Sequence, residues 1–177
     1  SHACLFTGSH GTGKTTAARI VAKALNCERG VAGNPCGECG ACRRIGTGQS
    51  LDVMEMDAAS NRGIADIRSL RERIGLAPCQ ERVKVYIIDE VHQLTGDAFN
   101  ALLKTLEEPP PGVFFILATT AIEKVPTTVA SRCQRFDFRR GSMDSLVRRL
   151  QDVAGAEGWT LDDEAAKAIA SSAQGGY

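Results

Sequence analysis

The sequence predicts an α/β domain: a five-stranded parallel sheet flanked by helices, followed by the start of a small helical domain. Three observations predict it. Apolar, β-branched runs alternate with segments of helical period up to Arg140, as β-α-β units require. A glycine-rich octapeptide separates the first such run from the first helical segment. After Gly141 the strand-like runs stop and only helical periodicity continues.

The elements follow in order. Ala3–Thr7 reads as a short buried strand. From Thr15 to Leu25, Ala17, Ile20, Val21, Ala24 and Leu25 fall at helical spacing. Residues 27–48 are rich in glycine and poor in aliphatics, so this insertion cannot build a hydrophobic core and something else must order it. Leu51–Met56 is a second strand, and Ile64, Ile67, Leu70 and Ile74 suit one helix face, with Pro78 as its stop. Val83–Asp89 is a β-branched strand ending in acid. Phe99, Leu102, Leu103 and Leu106 mark the next helix, closed by Pro109–Gly112. Val113–Thr119 is the fourth strand, Thr127–Ala130 a short helix and Cys133–Phe138 the fifth strand. Met143, Leu146, Val147 and Leu150 define a further helix, and Leu161–Ser171 another. The expected domains are therefore 1–140, containing the 27–48 insertion, and 141–177.

The chain has 21 basic and 21 acidic side chains, so net charge gives no argument for nucleic-acid or membrane binding. No apolar run approaches the roughly 20 residues of a membrane span. Seven cysteines, an odd number with four of them between Cys27 and Cys42, argue against a secreted disulfide framework and fit a reducing cytoplasm. The chain starts at Ser1 rather than Met and stops at Gln174-Gly175-Gly176-Tyr177 just after a helical stretch, as expected of a piece of a longer protein.

The octapeptide is Gly8-Ser9-His10-Gly11-Thr12-Gly13-Lys14-Thr15, a full G-x-x-x-x-G-K-[ST] phosphate-binding loop in its strand-to-helix context. Its glycines let successive N–H groups turn inward around phosphate oxygens, and the helix N-terminus adds a favourable dipole. Lys14 is expected at the β/γ-phosphates of a nucleoside triphosphate, Thr15 on Mg²⁺, and Thr16 beside it. Asp89 is expected to hold Mg²⁺ from the end of the third strand, and Glu90 to take a proton from an attacking water. His92 completes an Asp-Glu-Val-His string like a helicase box; without other helicase signatures it reads as a helix-start or packing residue.

Cys27, Cys36, Cys39 and Cys42 are spaced C-x₈-C-x₂-C-x₂-C. Four thiolates without histidine suit a closed structural Zn²⁺ site, with Gly37 and Gly40 supplying tight turns. Free thiols, a redox pair and an iron–sulfur cluster are the other chemistries open to this spacing. Arg43 and Arg44 read as solvated side chains, or as part of a contact surface.

These motifs, with the run from Ala24-Leu25-Asn26-Cys27, Asp57-Ala58-Ala59-Ser60, the stretch Ala98–Pro110 and Ser131-Arg132-Cys133, resemble the γ/τ subunits of the bacterial DNA polymerase III clamp loader, AAA+ ATPases. The resemblance implies an AAA+ fold with a zinc insertion and a helical lid. It implies an ATP-hydrolysing motor that works with other clamp-loader subunits, a sliding clamp and primed DNA, and not with a membrane. It implies that Thr120, in preference to Thr119, senses the γ-phosphate, and that Arg132 enters the ATP site of a neighbouring subunit in trans. The family's sensor-2 arginine would follow Gly175-Gly176, and its adenine-side segment would precede Ser1. Ser9-His10 stand where the family often has Pro-Arg. A δ′-like subunit that does not hydrolyse ATP, or another AAA+ DNA-processing ATPase, are the alternatives; intact Lys14, Thr15, Asp89 and Glu90 favour the ATPase.

Overall fold

In the computed structural model, which describes residues 2–30 and 33–173, five parallel strands form one sheet. They are β1 (Ala3–Thr7), β2 (Val53–Asp57), β3 (Lys84–Asp89), β4 (Val113–Thr119) and β5 (Gln134–Asp137), in the spatial order β2-β3-β4-β1-β5. The helices are α1 (Lys14–Asn26), α2 (Gly40–Gly46), α3 (Ile64–Ile74), α4 (Gly96–Glu107), α5 (Thr127–Ala130), α6 (Met143–Ala156) and α7 (Asp163–Ser172). Alternate residues of each strand face opposite sides of the sheet, and the packing follows that period of two. Cys4, Phe6, Val85, Ile87, Ile116 and Ala118 pack with Ala18 and Ala22 of α1 and Ile45 of α2. Ala3, Leu5, Tyr86, Ile88, Phe115 and Leu117 face the other way, against Ile67 and Leu70 of α3, Phe99 and Leu102 of α4 and Val129 of α5.

The strand order places the site. From β1 the chain crosses β4 and β3 to reach β2, whereas from β4 it crosses β1 to reach β5. The crevice between the carboxyl ends of β1 and β4 is therefore a topological switch point, where open α/β sheets receive ligands. Leu5 pairs with Leu117 and Thr7 with Thr119, so the segment after β1 emerges beside the end of β4, with β3 next along.

Three details differ from the sequence expectation. α3 ends at Gly75, whose N–H reaches the Arg71 carbonyl, before Pro78 can act as the stop. Residues 27–48 contain α2, a helix too short for periodicity to reveal; its Ile45 is buried on α1. β5 is present, but all four of its residues are exposed, so the sheet is not covered at this edge. The strand is short and carries Arg135, which limits edge pairing with other chains.

Asn26 shows why α1 ends where it does. Its Oδ1 accepts from the Val83 N–H at 2.8 Å and its Nδ2 donates to the Val83 carbonyl at 3.0 Å, tying the end of α1 to the approach to β3. Arg140 and Gly141 lie in the irregular segment between β5 and α6, and α6 and α7 pack on each other. The expected Gly175-Gly176 turn lies outside the described residues. No helix among the described residues is long and apolar enough to cross a membrane.

Candidate functional site

The glycine loop bends as its composition requires. Gly8, Gly11 and Gly13 have φ of 150°, 72° and 88°, values that side chains rarely adopt. Gly8 is also held close: a Cβ there would stand 2.3 Å from the Phe138 carbonyl oxygen, and its N–H donates to the Thr119 carbonyl at 3.2 Å. Lys14 is buried, with Nζ donating to the carbonyls of Gly8 and Ser9 at 2.8 Å each. The Thr12 hydroxyl donates to the Ser9 carbonyl at 2.8 Å. Arg140 reaches back to the Ser9 hydroxyl, Nε to Oγ 3.2 Å. The loop is thus braced from inside, and its cation is carried at the mouth of a cleft of ≈ 260 Å³ lined by His10, Gly11, Gly13, Lys14, Thr15, Thr16, Asp89 and Glu90.

The acids meet the loop from β3. Thr15 Oγ1 donates to Asp89 Oδ2 at 2.6 Å, which sets a hydroxyl and a carboxylate side by side as a divalent cation would need them. Glu90, with φ 47°, is the one non-glycine residue at positive φ among the described residues. A left-handed turn on such a residue costs of order 1 kcal/mol and marks functional sites. Its Oε2 accepts from the Thr120 N–H at 3.2 Å and the Thr120 hydroxyl at 2.9 Å. Its Oε1 lies 3.5 Å from Nδ1 of the exposed His10. Thr119, fully buried, turns its hydroxyl to His92 at 2.9 Å. Of the two threonines, Thr120 is therefore the one in contact with the acid.

His92 does start a helix, the 3-10 turn Val91–Gln93, but it is more than a packing residue. Its Nδ1 lies 3.2 Å from Glu90 Oε2. The Asp-Glu-Val-His spacing was the available signal, and only the fold brings Thr119 against it.

Arg132 is not among the residues that line this cleft. Its guanidinium donates to the Thr128 carbonyl and to Glu107 Oε1, each at 2.6 Å, on an exposed surface formed by α4 and α5. A residue that serves its own chain's phosphate would converge on the loop; Arg132 faces outward.

The four insertion cysteines converge, with their sulfurs all within 4.8 Å of one another. A tetrahedral site with Zn–S of 2.3 Å needs sulfurs about 3.8 Å apart, and Cys27 and Cys39 stand at 4.0 Å. All seven cysteines are free. Backbone N–H groups aim at the sulfurs: Cys36 to Cys27 and Cys39 to Cys36 at 3.3 Å, Cys42 to Cys39 at 3.5 Å. The Cys42 N–H is the main reason the Cys39 thiol is pushed down to about 6, whereas burial pushes Cys42 up to about 12. A buried set of this kind can hold a metal ion, whose charge would let every sulfur ionise. Arg44 is not solvated as expected. It donates to Glu81 at 3.0 Å, a carboxylate whose side chain is 1% exposed, and so pins the insertion to the approach to β3.

A family model described as DNA polymerase III, delta subunit, matches residues 1–142. The tau subunit of DNA polymerase III from Bacillus subtilis is 53% identical over 99% of the chain and 31% of its own length. The Escherichia coli tau subunit is 45% identical over 98% of the chain and 27% of its own. The gamma subunit from Buchnera aphidicola (subspecies Schizaphis graminum) is 47% identical over 98% of the chain and 48% of its own length. The chain thus spans less than half of these relatives. Among solved structures, the Thermotoga maritima RuvB Holliday junction branch migration motor superposes with a TM-score of 0.67 at 18% identity, over 99% of this chain and 50% of that one. A DNA polymerase III gamma subunit-related protein from the same species gives 0.56 at 22%, over 86% and 48%. The fold is the AAA+ P-loop fold.

Proposed function

Because this chain belongs to the DNA polymerase III delta-subunit family, and its sequence relatives are tau and gamma subunits, we propose that it is the nucleotide-binding part of an ATP-hydrolysing clamp-loader subunit. That subunit works in the cytoplasm with other clamp-loader subunits to place a sliding clamp on primed DNA. One observation carries the catalytic part of this reading: the Thr15–Asp89 contact of 2.6 Å brings the phosphate loop and the acidic strand end to one cleft.

The residues present fit ATP with Mg²⁺, since a buried cation, a hydroxyl and a carboxylate share that cleft. Bound Mg²⁺, held through Thr15 and Asp89, would supply charge against the β- and γ-phosphates. Lys14 exchanges its two carbonyl partners for phosphate oxygens, and the loop N–H groups complete the cradle. Glu90 accepts the proton of a water that attacks the γ-phosphorus. The new P–O bond forms as the bond to the β-phosphate oxygen breaks, and ADP leaves with that electron pair. Thr120, bonded to Glu90, would sense the γ-phosphate through that contact. Arg132 faces outward to serve a neighbouring subunit's nucleotide in trans. α6 and α7 begin a lid domain after residue 140. The Cys27, Cys36, Cys39 and Cys42 group holds a structural Zn²⁺, closed and without catalytic role.

A second reading is a δ′-like scaffold that does not hydrolyse ATP; the matching family model is described as that of a delta subunit. Glu90→Gln in the full-length subunit, assembled with its partners, separates the two. The ATPase reading expects retained nucleotide binding and lost hydrolysis. No hydrolysis by the unsubstituted protein would establish the scaffold, and equal loss of binding and turnover in Glu90→Gln would remove Glu90 as the base.

A further inference from the structure

We infer that His92 is a positioning residue for ATP hydrolysis, holding one oxygen of Glu90 so that the other is presented to the attacking water. The inference rests on Glu90 being the base, as proposed above.

The imidazole side chain is 7% exposed and bridges the ends of two strands. Nδ1 lies 3.2 Å from Glu90 Oε2, just past β3, and 2.9 Å from Thr119 Oγ1, the last residue of β4. Nε2 lies 3.0 Å from the Gln93 side-chain nitrogen. With an amide N–H facing Nε2, that nitrogen is the acceptor and the ring proton sits on Nδ1. This proton is directed to Thr119 Oγ1, with the carboxylate oxygen 3.2 Å from the same nitrogen. The Thr119 oxygen also accepts from the Ala121 N–H at 3.0 Å, so the segment after β4 is drawn into the same network.

The consequence lies in how the two carboxylate oxygens differ. Oε2 accepts from the Thr120 N–H and the Thr120 hydroxyl, and His92 Nδ1 stands against it at 3.2 Å from the other side of the cleft floor, after β3. The polar contact recorded for Oε1 among the described residues is the exposed His10 ring at 3.5 Å, and His10 lines the nucleotide cleft. A carboxylate oxygen bonded by Thr120 on one side and packed against the buried His92 ring on the other has little room to swing, and the second oxygen keeps its aim. A base must stand within hydrogen-bond reach of the proton it takes, and loss of that aim is felt in turnover rather than in binding. Thr120 approaches Oε2 from the end of β4; His92 packs against it from the chain that follows Glu90 itself.

The geometry allows a test by isosteres. The amide nitrogen of asparagine sits near the reach of Nδ1, and that of glutamine near the reach of Nε2. His92→Asn therefore keeps a nitrogen at the Nδ1 position, beside Thr119 and Glu90, whereas His92→Gln keeps size and polarity but moves it away. Both variants would be made in the full-length subunit and assembled with its partner subunits, beside Glu90→Gln, measuring kcat, KM and the Kd for ATP with Mg²⁺. We expect kcat for His92→Gln to fall about tenfold or more, and for His92→Asn to stay within about threefold of the unsubstituted protein. KM and Kd are expected to stay unchanged in both. His92→Gln turning over normally, both variants losing turnover equally, or either variant losing nucleotide binding would overturn the inference, the last by making His92 a residue of the fold. If Glu90→Gln keeps turnover, the base assignment has failed, and the inference about His92 falls for that identifiable reason.

Discussion

The Thr15 hydroxyl donates to Asp89 Oδ2 at 2.6 Å across 74 residues of sequence, joining the first turn of α1 to the last residue of β3. If both groups hold Mg²⁺, Thr15→Ala should weaken ATP binding in the presence of Mg²⁺ by about tenfold, the worth of one good polar contact. Affinity measured in EDTA should not change. A calorimetric titration under the two conditions checks this, and equal weakening in both would show that Thr15 acts on the loop and not through the metal.

Gly8 should not tolerate a side chain. Gly8→Ala would place a methyl group 2.3 Å from the Phe138 carbonyl oxygen at a φ of 150°. The loop must shift off β5, at a cost of about 2 kcal/mol or more. We expect a lower urea midpoint together with lost nucleotide binding. Full stability with only binding lost would mean that the loop relaxes freely.

Metal removal should unfold one segment and spare the sheet. Among the described residues, the insertion is held by the four sulfurs, by Ile45 on α1, by Arg44 on Glu81 and by the Arg82 guanidinium on the Cys27 carbonyl. Freshly purified protein should contain about one zinc per chain. Chelation should expose residues 27–48 to protease and remove little helix signal, while β1 to β4 remain protected from hydrogen exchange. Zinc far below one per chain in protein that keeps α2 would exclude the structural-metal reading.

Arg132→Ala should leave ATP affinity of the subunit unchanged and lower turnover of the assembled complex by about a thousandfold, the lower range for an arginine supplied in trans. The present partner of Arg132 is Glu107, and an exposed pair of this kind contributes little stability. Unfolding midpoints should therefore hardly move. Normal turnover of the complex would take Arg132 out of the shared site.

Asp52 should be a source of acid sensitivity. Burial alone would raise its pKa, but the N–H groups of Gln80, Glu81 and Cys79, with Lys84 nearby, outweigh burial and hold it below the usual 3.8. A depressed carboxyl stabilises the fold above its unfolded pKa, and that stability is lost as pH falls through the lower folded value. Asp52→Ala strands three donors and should cost about 2–4 kcal/mol at neutral pH. The difference from the unsubstituted protein should shrink below about pH 4. Urea unfolding at several pH values measures it, and a gap independent of pH would assign the loss to packing.

The site was unevenly legible in the sequence. The loop from Gly8 to Thr15 and the cysteines from Cys27 to Cys42 could be read because their chemistry fixes spacing between near neighbours. Asp89-Glu90 could be read because a strand's apolar run ends there. α2 is not legible because seven residues carry too few apolar positions to show a helical period. Arg44 reads as solvated in the sequence because nothing local marks Glu81 as its buried partner.

The sequence by itself determined the strands and longer helices, the faces they bury, the phosphate loop, and the fold class that follows from them. These depend on backbone geometry within a few residues, where side-chain period and turn chemistry act directly. The tertiary structure alone decided the strand order, and with it which distant groups meet: Thr15 with Asp89 across 74 residues, Thr120 with Glu90 across 30, His92 with Thr119 across 27. It also turned Arg132 outward onto Glu107, away from the cleft of its own chain. Contacts at such separations depend on which strand ends lie side by side, and no local preference of the chain encodes that.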